Sequence, residues 1–560
     1  MQGPSSTTMT LDQAVSLAAD QLGAGRLEDA LRISQQVVQQ VPAAAGGWNM
    51  LGLALSSVGR ANEAHDAYRQ AVRLAPQLLG AWSNWGLLWR AQGDLGQAVQ
   101  CLEQAAAIAP GHSGVLCNLA TVLLEVGRVS EAIAAARRGL SIEPFPALHT
   151  GLILMLHYDP ATTAQHIRAE LDAWRVCFAD SLRGEIRPHA NDRSPDRRLR
   201  VGYLSADLRQ HSVGRFMVPL LAAHDPRAVE AICYADVPRP DAMTSQLQGL
   251  AHGWRSIVGL SDAAVADLVR ADGIDILVDL AMHTHANRLL VFARKPAPVQ
   301  VTWLSYASST GLPTVDYRLS DPVIDPPENT PPDAYAEQTM WLETFWCYEP
   351  LPEAANLPVE PLPADQGRGV TFGCLNLLAK VSDDTLATWG DILARVPGSQ
   401  LLLHATIGIH RQRVLAAMQR AGVAPERITF VERVPLPDFL RLHARIDIGL
   451  DPFPFGGGTT TCDALWMGVP VVTLRGQTGV GRGGASLLTH VGLPELVADS
   501  RAQYVELAVD LAGDLARLRT LRGELRQRMR ESVLMDKSRF ARHMENAFRA
   551  MWKKWCAPNS

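Results

Sequence analysis

Along the first quarter of the chain apolar residues recur three and four positions apart, the rhythm of one helix face. That face itself recurs, because Leu51, Trp85 and Leu119 each lie 34 residues beyond the last. Ala30, Ala64, Ala98 and Ala132 keep the same step, as do Gly25, Gly59, Gly93 and Gly127, and Pro42, Pro76, Pro110 and Pro144. Each residue type suits one place in a pair of helices. The glycine ends the first helix where a left-handed backbone is cheap, the alanine lets the second helix approach its neighbour, and the proline closes that helix before the next begins. Trp48 and Trp82 supply a large residue near the start of the first helix in the middle two pairs. One pair cannot bury its apolar stripe alone, so the pattern predicts a stacked array over residues 11–146.

A period of 34 residues is the length of a tetratricopeptide unit. Beyond the fourth unit the strict step lapses, yet ALHTGLILMLHYDP and TTAQHIRAELDAWRVCFADSLRG keep helical spacing. Residues 147–186 are therefore expected to continue the array in degenerate form and seal its end. The polar, proline-broken run at 187–200 reads as a linker. From Leu199 the texture changes to short apolar runs, LRVGYLSAD, AICYAD, DILVDLAMH and PVQVTWLSYAS, with helical stretches between them. Strands alternating with helices predict a parallel α/β domain over 199–347. A proline-rich connector spans 348–369, and a second α/β series over 370–537 follows with VTFGCLNLLAK, SQLLLHA, RITFVERV, IDIGLDPFPF and PVVTL. A final amphipathic helix, 538–556, is expected to pack back across the two halves. The fold class is an α-helical superhelix of repeats followed by a two-domain α/β unit, with a cleft between its halves.

Composition narrows the partners. At 560 residues the chain is too long for one core, and a formal net charge of -5 lacks the basic footprint of a nucleic-acid binder. Eight cysteines without zinc spacing read as reduced thiols in a cytosol and suggest no metal site. The start, MQGPSSTTMT, has no leader pattern, and no stretch approaches about 18 uninterrupted apolar residues. A cytoplasmic protein without a membrane span is the expectation.

In open α/β sheets ligands sit beyond the carboxyl ends of the strands. The most unusual such end is LDPFPFGGGTTTCDALWMGVPVV. Gly458 and the glycines before it free the backbone to approach a ligand, and Thr459, Thr460 and Thr461 then open a helix whose free N–H groups and dipole suit a diphosphate. Asp463, one turn in, is placed to accept from ribose hydroxyls. A glycine-rich turn with a threonine cap needs no ligand, so this loop alone does not decide the matter. Lys380 follows a strand of the same domain and offers a point charge to a leaving phosphate, or is a solvated surface lysine. His211 follows the first strand of the other domain, where histidine moves protons near neutral pH or serves the structure. His283 and His285 also end a strand, with i, i+2 spacing but no third metal ligand in sight. The chain contains no D-x-D, the pair with which many nucleotide-sugar enzymes hold a divalent cation. A basic residue and a helix terminus must then neutralise the diphosphate.

Taken together, RVGYLSADLRQHSV, RKPAPVQVTWLSYASSTGLPTVDYRLSDPV, FGCLNLLAKVSDDTLATWGDILARVPGS, GGGTTTCDALWMGVPVVTL and GASLLTHVGLPELVA resemble the O-linked N-acetylglucosamine transferases, glycosyltransferase family 41. The resemblance spans nearly the whole chain and is to the bacterial type, with a short connector in place of the long animal insertion. It implies a GT-B catalytic unit of two Rossmann-like domains, inverting transfer from a nucleotide sugar to serine or threonine, and no cofactor or required metal. It also implies protein acceptors held in the tetratricopeptide groove, and leaves a homo-oligomer open. By motif, His211 matches a histidine near sugar and acceptor, Lys380 the lysine on the diphosphate, Thr459 and Thr460 the phosphate-helix threonines, and Asp463 the ribose carboxylate. Asn376, His443, Gly458 and Thr461 join the donor-binding set, and His283 and His285 the acceptor and sugar vicinity. The departures are Leu377 for a glutamine, Gly458 for a histidine, and Leu440 near the histidine that packs on uracil, with His443 one turn later as a substitute. GGGTTTCDALWMGVP and MWKKWC also resemble the plant Spindly branch, whose members transfer fucose from GDP-fucose. The donor expected first is UDP-N-acetylglucosamine. GDP-fucose, or a repeat scaffold with a weakly active nucleotide-binding half, are the alternatives.

Overall fold

The computed structural model describes residues 9–331, 334–367 and 369–557. The segment 1–8, read above for a leader, lies outside them. The chain divides into two compact units, Met1–Phe145 with Thr406–Gln412, and Pro146–Ala405 with Arg413–Ser560.

In the first unit the period becomes four helix pairs: α1 (Leu11–Gly23) and α2 (Leu27–Gln40), α3 (Ala45–Ser57) and α4 (Ala61–Leu74), α5 (Leu79–Gln92) and α6 (Leu95–Ile108), α7 (Ser113–Glu125) and α8 (Val129–Ile142). Gly25, Gly59, Gly93 and Gly127 all have left-handed backbones, with φ of 74°, 81°, 86° and 77°. Ala30, Ala64, Ala98 and Ala132 are fully buried. The tryptophans and prolines prove to be linked. Trp48 Nε1 donates to the Pro42 carbonyl and Trp82 Nε1 to that of Pro76, both at 2.8 Å. A further pair at the same step is Gly52 and Gly86, where an added Cβ would lie 2.7 Å from Tyr68 and 2.8 Å from Leu102. Those glycines let successive helices touch.

In the second unit, α9 (Pro146–Leu156) and α10 (Ala164–Phe178), expected as a degenerate end of the repeats, group with the α/β domains. The physical reason is apolar surface on every side: Leu148, Leu152, Ile153, Met155 and Leu156 of α9 are all buried. Trp174 of α10 meets the His283 ring edge-on at 4.9 Å.

Among the described residues the first sheet holds seven parallel strands: β1 (Leu199–Ser205), β2 (Val229–Ala235), β3 (Gly253–Ser256), β4 (Ile276–Asp279), β5 (Val299–Thr302), β6 (Tyr317–Ser320) and β7 (Gln338–Trp341), in the order β3-β2-β1-β4-β5-β6-β7. The second holds six, β8 (Thr371–Cys374), β9 (Gln400–His404), β10 (Ile428–Val431), β11 (Ile448–Leu450), β12 (Val471–Leu474) and β13 (Val497–Ala498), in the order β10-β9-β8-β11-β12-β13. Each sheet reverses its winding once, between β1 and β4 and between β8 and β11. Such switch points open a crevice at the carboxyl ends of the strands.

The connector is no free tether, since Leu351, Ala354 and Leu362 are buried and Trp466 Nε1 donates to the Ala354 carbonyl at 3.1 Å. The final helix, Lys537–Cys556, returns to the first α/β domain. Glu545 accepts from His224 Nδ1 and the Asp225 amide, each at 2.9 Å, and Phe540 lies 5.6 Å from Trp303.

Candidate active site

The two switch points face one cleft of about 420 Å³. From the first domain, β1 delivers His211 at the start of α11 (Ser212–Ala223), where its Nδ1 accepts from the Val213 amide at 3.3 Å. Asp207 stands 3.6 Å from the same nitrogen. With Nδ1 accepting, the neutral ring keeps its proton on Nε2. Burial lowers the His211 pKa, Asp207 pulls it up and Arg209 pushes it down. The loop after β4 contributes Thr284 to the cleft, not its neighbours. His283 is fully buried with Nε2 donating to the Thr310 carbonyl at 2.9 Å, and burial pushes it down to about 4. His285 is exposed. Both were expected in the sugar and acceptor vicinity, but the turn sends them to opposite sides, one inward and one to solvent. That also removes them as a metal pair, and among the described residues no cluster of three or more His, Cys, Asp or Glu is placed to hold a metal.

From the second domain, β8 leads into a short turn ending at Lys380, whose Nζ donates to the Gly456 carbonyl at 2.8 Å and lies 4.3 Å from the centre of the Phe455 ring. Burial brings its pKa down to about 8, against the opposing pull of Asp451 and Cys374. After β11 comes Asp451, which the motif reading missed. It accepts from the Gly457 amide at 2.6 Å and from Thr473 Oγ1 at 2.8 Å, so it shapes the glycine loop. The loop glycines answer to packing: a Cβ at Gly457 would come within 2.3 Å of Thr461 Oγ1, and one at Gly456 within 2.8 Å of Asp451. The helix Thr459–Trp466 starts here, with its first N–H groups free of helical partners. Thr460 Oγ1 donates to Asn376 Oδ1 at 2.8 Å, and Gly458, Thr459, Thr460 and Asn376 all line the cleft.

Three residues of the expected donor set are buried, and two of them, Thr461 and His443, line a small cavity shared with Asn376 and Thr460. Thr461 is buried beneath the loop. His443 is buried too, with its Nδ1 bonded to the Leu440 carbonyl at 3.0 Å, and it lies behind Phe439. The aromatic residues that do face the cleft at this end are Phe439 and His404. Asp463 is 1% exposed and both its oxygens are taken, by Arg215 at 2.6 and 2.9 Å and by Tyr348 Oη at 2.8 Å. A ribose would have to displace that pair. Also unread in the sequence was the stacking of Tyr158 on Phe455 at 4.8 Å. Phe455, two residues after Phe453 in the FPF of the loop, was the only signal for it.

A profile of the glycosyl transferase family 41 matches residues 146–348 and 361–544, well over half of the chain, and begins where the second compact unit begins. The chain belongs to glycosyl transferase family 41. Tetratricopeptide profiles match residues 45–78 and 90–152. The chain is similar to the probable UDP-N-acetylglucosamine–peptide N-acetylglucosaminyltransferase SPINDLY of Oryza sativa, 42% identical over 65% of this chain and 40% of that protein. It is 30% identical to the similarly named SEC of Arabidopsis thaliana, over 64% of this chain and 38% of that one. The matches thus span about two fifths of the length of these curated relatives. Among solved structures, an O-GlcNAc transferase of Thermobaculum terrenum superposes with a TM-score of 0.83 at 36% identity, covering 91% of this chain and 98% of that one. The family's two parallel-sheet domains after helical repeats are thus the architecture seen here.

Proposed function

We propose that this family member transfers N-acetylglucosamine, with inversion, from UDP-N-acetylglucosamine to serine or threonine hydroxyls of polypeptides held by the repeats. The observation that carries the reading is Lys380, a half-buried cation beside a helix N-terminus, in a cleft whose described lining holds no carboxylate. That set attracts a diphosphate and stabilises charge that builds on it. It offers no carboxylate to form a glycosyl-enzyme bond, which favours a single displacement. The acceptor oxygen bonds to the anomeric carbon as the bond to the diphosphate oxygen breaks, and the electron pair leaves with UDP toward Lys380 Nζ and the N–H groups of Thr459 and Thr460. The hydroxyl proton passes to water. His211, with Nε2–H available, orients the acceptor oxygen.

These groups carry the diphosphate charge without a metal ion, so transfer should survive a chelator. Eight unpaired cysteines fit a reducing compartment such as the cytoplasm. GDP-fucose stays as second donor because GGGTTTCDALWMGVP and MWKKWC resemble the plant Spindly branch. Calorimetric titration with UDP and GDP in parallel, followed by radiolabelled transfer to peptides, tests the reading. UDP binding with transfer to serine or threonine supports it. GDP binding alone overturns the donor, and nucleotide binding without transfer leaves a scaffold.

A further inference from the structure

Beside the cleft lies a second hollow of about 190 Å³, and Ala307 and Gly479 line both. Its floor is apolar, with Ile167 and Leu171 of α10 buried against it. Two acids reach it: Asp325 is held by the buried Arg318 at 2.7 Å, and Asp172, half exposed, shares Arg175 with Asp180 at 3.3 and 2.7 Å. Two arginines reach it and neither meets a carboxylate among the described residues. Arg168, exposed on α10, has no hydrogen bond or ion pair there. Arg482 gives its N–H groups only to the carbonyls of Gly476, Ile324 and Gln477. A guanidinium has five N–H donors, so both keep donors to spare. In the wall stands His157, 5% exposed, with neither ring nitrogen hydrogen-bonded among the described residues.

We propose that this hollow seats an acidic side chain of the acceptor polypeptide, an Asp or Glu a few residues from the hydroxyl that receives the sugar. The inference rests on the polypeptide-acceptor reading above. A chain that lays its serine in the cleft runs along the wall the two hollows share. The methylene of its acidic residue then covers the Ile167 and Leu171 floor, and its carboxylate meets two arginines that form no ion pair among the described residues. A neutral His157 adds one N–H donor to the same end, because burial pushes its pKa down to about 3.

The test is a set of serine peptides in which Glu is walked outward from the acceptor residue, each with a Gln twin, assayed with the full chain and radiolabelled donor. One position should favour Glu over Gln in KM by roughly threefold to tenfold, the scale of a partly shielded ion pair. Arg168→Gln and Arg482→Gln should each shrink that ratio toward one, Arg482→Lys should keep part of it, and Arg168→Glu should turn the preference toward a Lys twin. Circular dichroism melts confirm that the variants fold, and Arg168, being exposed, gives the cleaner variant. Equal transfer to Glu and Gln twins at every position, or a preference untouched in Arg168→Gln and in the double variant, overturns the inference while leaving the transferase reading in place. Absence of transfer to any peptide overturns the transferase reading and this inference with it. If millimolar free glutamate erases the preference, the occupant is a free carboxylate and the polypeptide assignment falls.

Discussion

At the scale of one residue, Lys380 shows burial and chemistry in opposition. Taking the ammonium out of water brings its pKa down to about 8. In the proposed transfer the protonated form is the one that stabilises the leaving diphosphate, and it prevails below that pH. In the free enzyme kcat/KM for the donor should therefore hold steady toward neutrality and fall by about tenfold per pH unit above about 8. Arginine at this position stays charged throughout. Lys380→Arg should lower turnover yet lose the alkaline limb, as read from a pH profile between neutrality and about 10. A limb that persists in Lys380→Arg would belong to another group. His211 offers a contrast, because 43% of its side chain is exposed and its Nδ1 is engaged by the helix it caps. An acceptor-orienting role follows from that geometry more directly than proton abstraction does.

At the scale of elements, the glycine loop and the helix behind it stand or fall together. Gly457→Ala would set a Cβ 2.3 Å from Thr461 Oγ1 and 2.9 Å from Asp451. Both neighbours are buried parts of the loop's support, so the loop must shift away from the helix terminus. Gly458→Ala meets only the edge of the Trp346 ring, at 3.1 Å. Nucleotide affinity by calorimetry should drop at least about tenfold in Gly457→Ala, the scale of losing one aligned charge-assisted contact, and much less in Gly458→Ala. Similar losses in both would mean that the glycines act through flexibility instead of packing. The same elements show what the sequence made legible. The repeats could be read because each imposes one backbone demand at one step, and Lys380, Thr459 and Thr460 because they follow strands at a switch point. β3 and β7 were missed as short, partly exposed edge strands, β6 because a buried Arg318 breaks its apolar run, and β13 because it has two residues. Thr461, His443, His283 and Asp463 are all buried, which their spacing did not show, for one reason. Spacing tells which loop holds a residue, and only packing tells which way it faces.

At the scale of the whole α/β unit, a buried contact between the two domains bears on the proposed donor site. Arg215, on α11 of the first domain, pairs bidentately with Asp463, one turn into the helix Thr459–Trp466 of the second. Tyr348 completes the set, and the two side chains are only 10% and 2% exposed. Removing one partner of such a pair leaves a charge without water or counterion, which costs about 3–5 kcal/mol, whereas replacing both with apolar groups costs far less. Arg215→Met and Asp463→Leu should therefore each lower the urea midpoint strongly, and the double variant should be more stable than the sum of the two predicts. The pair also competes with a ribose for the same carboxylate. If the contact holds during catalysis, Asp463→Asn should cost stability and change nucleotide affinity little. If the ribose takes Asp463, then Arg215→Met frees the carboxylate and nucleotide binds more tightly to a less stable protein. A double-mutant cycle read in both urea midpoint and nucleotide Kd separates these outcomes, because a purely structural latch couples the residues in the first measurement and not in the second.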